Sequence, residues 1–372
     1  MGRMKPGHFL VCIALILSLS HSATYGEVPL ADKPRPCTYF VAANGSDRND
    51  GTSAAQPFAS LAKAQLAARH NADKVVCLRA GTYRPSAPTT LTSADDGETW
   101  QYYPPDGVNS AIFDGGGATD IFRIVGGSNI TIDGLKLQNF YSYGIHSEGG
   151  PHFGVPATAH NTIKNCDIGF NKIVSWNSGA FYADGASPGT VVKNNYAHDL
   201  GSQGIAINSY FSPADSIDGS VIANNVVLRT VQRKNDGSPI YVSMHGGCTT
   251  CRVTVSNNYV KDYVSPSSSE GSGIYLDDNA SNVTVTGNVI APPGPVGRAN
   301  NGANGITVHN GFGNIISGNI IDVGATSRAI TAIWYSGGQT INNGMAGNTF
   351  TGNIVISNFA GRLNATFSGA AG

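Results

Sequence analysis

Between residues 129 and 358 the chain alternates apolar and polar residues in short runs, and turns rich in asparagine and glycine separate them. Alternation with a period of two is the mark of a strand with one buried face. No helical period of useful length interrupts it. The run VTVTGN (283–288) has close copies in VTVSNN (253–258), TVVKNN (190–195), SVIANN (220–225) and NIISGN (314–319). Its last residue defines a column of Leu135, Cys166, Asn195, Asn225, Asn258, Asn288, Asn319 and Asn353, spaced by 31, 29, 30, 33, 30, 31 and 34 residues. A fixed period of this size is the signature of a solenoid. The column predicts an inward asparagine ladder at a turn, each amide bonding the amides above and below.

A second run, GIYLDD (273–278), recurs as well. Its isoleucine aligns with Ile145, Phe181, Ile205, Ile240, Ile306 and Ile330. Strand, turn and strand units that stack only on their neighbours predict an all-β, single-stranded parallel β-helix of roughly eight to ten coils over 110–360.

The N-terminal part differs. Residues 36–84 read as a strand (38–42), a turn rich in Gly, Asn and Asp (43–51), a helix (58–69) and a strand (74–78). Phe58, Leu61, Gln65 and Ala68 fall on one helical face with Leu66 beside it. A β-helix leaves an unpaired end, and an amphipathic helix over that end is the expected cap. Asp47, Asn49 and Asp50 in the turn are candidates for calcium, but turn chemistry explains them more simply; no cofactor is expected.

Residues 1–26 fit a secretory signal peptide: Arg3 and Lys5 precede the apolar run 9–19, and Ser20, Ser22 and Gly26 follow it. That run is too short to span a bilayer. Residues 27–372 are then expected to form one exported β-helix domain, extracellular or periplasmic, with no membrane contact. Charged residues make up only 13% of the chain and the formal net charge is −1, which argues against a nucleic-acid partner. A neutral polymer or a small ligand remains open, and a monomer is expected. Of the five cysteines beyond residue 26, Cys248 and Cys251 share one loop, and export favours a disulfide between them. Cys37 and Cys77 lie in the two N-terminal strands and are a second candidate pair. Cys166 sits in the ladder column, where a free buried thiol is expected.

The stretch YFVAANGSDRNDGTSAAQPFASLAKAQLAA followed by VVCLRAGTYR resembles the N-terminal cap of secreted right-handed β-helix proteins of the pectin-lyase-like superfamily. The repeats resemble the generic repeat of the same superfamily. This resemblance implies a right-handed β-helix and an extracellular polysaccharide partner. A narrower resemblance covers 235–324: GIYLDDNASNVTVTGN and NGITVHNGFGNIISGNIIDVG look like the corresponding run of β-helix glycoside hydrolases acting on plant cell-wall polysaccharides. There an acidic residue of the Gly-Ile-Tyr-Leu-Asp-Asp stretch pairs with one from a neighbouring coil. Asp277 and Asp278 match the first. The preceding coil carries Met244 and His245 where the second acid is expected, which leaves Asp236 as the alternative.

Register carries the rest of the site prediction. Three places after each aligned isoleucine the outer face reads Glu148, Asp184, Asn208, Ser243, Asp277 and His309. One place after, it reads His146, Tyr182, Ala206, Tyr241, Tyr275 and Thr307. Adjacent strands lie about 4.8 Å apart, so Asp277 and His309 are rung neighbours and Asp184 is three rungs, roughly 14 Å, from Asp277. Asp277, Asp278, His309, Asp236 and His245 are the candidate catalytic residues. Tyr241, Tyr275, Asp184 and Asn208 are expected to hold sugar. Two carboxylates suit glycoside hydrolysis; one acid with histidines nearby suits elimination or epimerisation; a tyrosine-lined face without an acid pair suits glycan binding alone.

Overall fold

The computed structural model describes residues 33–173, 177–209, 211–233, 237–246, 248–263, 271–294, 304–324, 328–333, 345–357 and 365–368. The expected targeting segment 1–26 and Asp236 lie outside them. Within the unit 36–372, the chain forms three parallel sheets of 10, 11 and 10 strands. One coil shows the plan: Ser272–Asp277 in the first sheet, Val283–Thr286 in the second, and Val289–Ile290 in the third. The next coil repeats it with Asn304–His309, Ile315–Ser317 and Ile320–Gly324.

Register follows the sequence columns. Ile145 pairs with Phe181, Phe181 with Ile205, Ile205 with Ile240, Ile240 with Ile274, and Ile274 with Ile306. Stacking like on like fills the interior with aliphatic side chains, and Ile205, Ile240, Ile274 and Ile306 are all buried. A one-residue slip would turn each of these outward, which is why the pattern fixes the register.

The turn between the second and third sheets has two residues. The first takes a left-handed conformation in five successive coils: Asn165, Asn194, Asn224 and Asn257 with φ of 57°, 58°, 57° and 56°, and then Gly287 at 66°. Only Asn, Asp and Gly adopt this readily. The second residue turns inward and builds the ladder. The Asn195 amide donates to Asn225 Oδ1 (3.0 Å), Asn225 to Asn258 (2.9 Å), Asn258 to Asn288 (2.9 Å), Asn288 to Asn319 (2.9 Å) and Asn319 to Asn353 (2.9 Å). Cys166 starts the ladder with its backbone N–H on Asn195 Oδ1, 3.0 Å away. The sequence reading missed a shorter second ladder, in which Asn314 N–H donates to Asn348 Oδ1 (2.9 Å) and Val283 N–H to Asn314 Oδ1 (2.9 Å).

The N-terminal helix runs Leu61–Arg69, three residues shorter than expected. Phe58 forms a β-bridge with Val41, and Ser60 caps the helix by accepting from Lys63 N–H. A residue held in a bridge cannot also start a helix. The buried face consists of Ala64 and Ala68, while Leu66 is exposed. The turn residues are occupied locally: Asp47 accepts from the N–H groups of Ala59 and Ser60, Asn49 donates to Pro57 O, and Asp50 accepts from Thr52. Cys37 is bonded to Cys77 and Cys248 to Cys251. Among the described residues Cys166 is the free cysteine, and burial pushes its thiol up to about 12. No described helix is long and apolar enough to cross a membrane.

Candidate active site

Ser243 pairs with Asp277 in the first sheet, and Leu276 with Val308, so Asp277 and His309 sit on neighbouring rungs of one outer column. Their side chains meet: His309 Nδ1 lies 2.6 Å from Asp277 Oδ1. The Asp278 backbone N–H donates to the same oxygen over 2.8 Å. The Tyr241 hydroxyl, one rung back, donates to Oδ2 over 2.7 Å. With a proton on His309 Nδ1, three donors converge on the two oxygens of one carboxylate. Burial, followed by the charges of Asp277 and Asp278, holds the Tyr241 phenol well above its ordinary range. Tyr241 therefore stays a donor.

Asp278 occupies the corner where the strand ends. Its φ is 47° and that of Asn279 is 67°, a left-handed pair that Asp and Asn tolerate. This turn directs the Asp278 carboxylate toward His245, whose Nδ1 is 3.5 Å from Oδ2. Asp277, Asp278 and His309 each offer one ligand atom, all within 4.8 Å of one another. Solvent reaches the cluster at His245, His309 and Asp278, with side chains 30%, 20% and 20% exposed against 11% for Asp277.

The outer row is more covered than an open groove. Tyr275 is nearly buried, and its ring meets the Tyr241 ring edge-on at 5.6 Å. Burial leaves the Tyr275 ring little of the open stacking face expected from sequence, and the Tyr241 hydroxyl is turned onto Asp277. Asn208, expected to contact sugar, is buried and donates to Ala183 O. Asp184 lies three rungs from Asp277 in the same column, and its described side-chain partner is His146. His146 Nε2 lies 3.3 Å from its Oδ2, and His146 Nδ1 lies 3.6 Å from Glu148 Oε1. Tyr143 stacks on His146 at 4.0 Å, and Arg123 pairs with Glu148 at 2.5 Å. This second polar cluster was half visible in the columns as His146, Glu148 and Asp184. Arg123 and Tyr143 were missed, although the pairing of Arg123 with His146 follows from extending the register one coil earlier.

A family model described as "Right handed beta helix region" matches residues 120–321. Among solved structures, the chain is similar to pectate lyase Pel9A, with a TM-score of 0.52 at 17% identity, covering 88% of this chain and 78% of that one. It is also similar to the alginate lyase of Paenibacillus sp. str. FPU-7, with a TM-score of 0.50 at 14% identity, covering 82% of this chain and 96% of that one. At these identities the likeness is one of fold. No protein of curated function matches the chain in sequence.

Proposed function

The chain belongs to the right-handed β-helix family, and from that premise we propose that it cleaves an extracellular polysaccharide at the outer face of its first sheet, with Asp277 as the central carboxylate. Among the described residues apolar side chains fill the coils, which favours chemistry on the outer face. One observation carries the reading: a single carboxylate receives Tyr241, His309 and the Asp278 backbone together, with a second carboxylate beside it. Glycoside hydrolysis needs one carboxyl group to protonate the leaving oxygen and another to attack or to activate water. Asp277, held as an acceptor, suits attack. Asp278, more exposed and next to His245, suits proton transfer. Their separation of under 4.8 Å between nearest ligand atoms is closer to the retaining spacing of about 5–5.5 Å than to the inverting spacing of about 6.5–9.5 Å. Asp236 remains the alternative second acid. Export, with the 1–26 segment removed, fits the paired cysteines.

The donor set of Asp277, Asp278 and His309 favours a second reading. Two carboxylates and an imidazole can hold a divalent cation, which when bound would neutralise a uronate carboxylate and so ease elimination. Incubation with a panel of plant, algal and bacterial polysaccharides separates the readings. New reducing ends without unsaturation mean hydrolysis, and ultraviolet-absorbing unsaturated ends mean elimination. Retained binding with neither product would mean a glycan-binding protein and would overturn the proposal.

A further inference from the structure

We propose a second glycan site, for an acidic oligosaccharide, in the groove along the corner where the strands of the third sheet end. At that corner the chain passes through a left-handed residue in successive coils: Asn139, Phe170, Asp199, Arg229 and Asp262, with φ of 53°, 68°, 53°, 53° and 57°. Asn and Asp take this conformation at little cost, whereas a bulky side chain does not. Arg229 is accounted for, because it donates to Asp199 over 2.5 Å and to the Tyr196 hydroxyl over 3.1 Å. Phe170 has no such bond. It is 45% exposed, and its described ring contact is edge-on to His198 at 5.2 Å. An aromatic ring held outward in a strained conformation, away from the core, marks a surface used for something other than folding.

The groove beside it has a volume of about 640 Å³ and is lined by the cations Arg84, Lys172 and Arg233 and the acids Asp114 and Asp199. The acids are occupied within the protein. Asp114 accepts from Arg84 at 3.0 Å and from Asn139 at 3.1 Å, and Asp199 accepts from Arg229 while facing His198 Nδ1 at 2.7 Å. Among the described residues two of the cations have no acidic partner: Arg233 donates to the carbonyls of Asn171 and Lys172, and no carboxylate pairs with the Lys172 amine. Positive charge thus stands beside an exposed ring, the pairing that suits a pyranose with its apolar C–H face on the ring and its carboxylate on the cations.

The groove is also elongated. Asp114, Asn139, Phe170 and Asp199 close four successive strands of one sheet, so they span roughly 14 Å along the axis. That length calls for a chain of sugars rather than a single small anion. The site is separate from Asp277 and does not depend on catalysis there.

Isothermal titration of the full chain, in an Asp277→Asn background that prevents turnover, with a galacturonic acid hexamer tests this. The acid should bind, its methyl ester should bind about ten-fold more weakly, and affinity should fall as salt rises. Phe170→Asn keeps a residue suited to the left-handed turn, so its melting temperature should match or exceed that of the parent while affinity drops about ten-fold or more. Phe170→Tyr should keep both, and Lys172→Gln should weaken binding and flatten its salt dependence. The proposal is overturned if the hexamer does not bind, if Phe170→Asn binds as tightly as the parent, or if the ester matches the acid. Equal affinity for a single-stranded oligonucleotide would mean a general polyanion surface and would also overturn it. A lower melting temperature for Phe170→Asn with unchanged binding would make the ring a structural cover for His198.

Discussion

Replacing Asn258 by alanine tests the ladder at the centre of the solenoid. Asn258 is 1% exposed and makes four side-chain bonds. Its amide donates to Ile222 O and to Asn288 Oδ1, each at 2.9 Å. Its oxygen accepts from the Asn225 backbone and from the Asn225 amide, each at 2.9 Å. Asn288 Oδ1 keeps the Asn258 backbone donor at 2.9 Å after the exchange, so three buried groups lose a partner: Ile222 O, Asn225 N–H and one Asn225 amide hydrogen. An orphaned buried polar group costs about 1–3 kcal/mol. The sum is about 3–9 kcal/mol, toward the lower figure where water enters the space left behind. This is a large fraction of a typical folding free energy of about 5–15 kcal/mol. Because each coil touches only its neighbours, the loss falls on both interfaces of that rung. Urea unfolding followed by circular dichroism at fixed pH measures it. Cys166→Asn is the contrast: it lengthens the ladder by one rung, orphans nothing, and should stay within about 1 kcal/mol of the parent. An Asn258→Ala cost under about 1 kcal/mol would refute the reasoning, since it would mean that the ladder's bonds are replaced by water at no loss.

Glu98 is fully buried with Trp100 Nε1 donating to it at 2.8 Å, and burial raises its pKa from 4.5 to about 8. A raised acid stabilises the fold in its protonated form below the unfolded value, and that stability is lost as pH rises through the folded one; thermal melts should therefore show a fall of up to about 1.4 kcal/mol per pH unit between about pH 5 and 8, which Glu98→Gln removes. Unchanged pH dependence in Glu98→Gln would contradict this. Alkylation of the folded, unreduced protein should label none of the cysteines beyond residue 26, and denaturation without reduction should expose Cys166 alone; labelling of Cys248 or Cys251 would contradict the pairing.

The solenoid was legible because its determinants are local and repeated. The Asn195 to Asn353 column needs only a two-residue turn to become a ladder, and the aligned isoleucines fix every strand's face. Register then gave the contact between Asp277 and His309 before any coordinate did. What alternation cannot give is cover. Outward in a strand does not mean exposed, and Asn208, Thr307 and Tyr275 are buried on the outer face. Rotamers are equally silent in sequence, so Tyr241 read as a sugar platform although its hydroxyl turns onto Asp277. The helix start was misplaced because the bridge between Phe58 and Val41 joins residues far apart in sequence and outweighs helical periodicity. Phe170 gave no signal at all, since its left-handed turn position is usually filled by Asn or Asp and nothing in its own sequence marks it.

The most direct measurement is the turnover of Asp277→Asn on a polysaccharide that the parent cleaves, paired with its melting temperature. Asparagine keeps the shape and removes the charge, and the Tyr241 hydroxyl and His309 ring can each turn to suit an amide. A cost near 1 kcal/mol corresponds to a shift of no more than about 4 °C in a protein of this size. Loss of a single catalytic group lowers turnover by about 10²–10⁴-fold. The account predicts a folded protein, within a few degrees of the parent's melting temperature, with turnover reduced by that factor. Near-parental turnover would contradict it, and an unfolded variant would make Asp277 a structural corner residue instead.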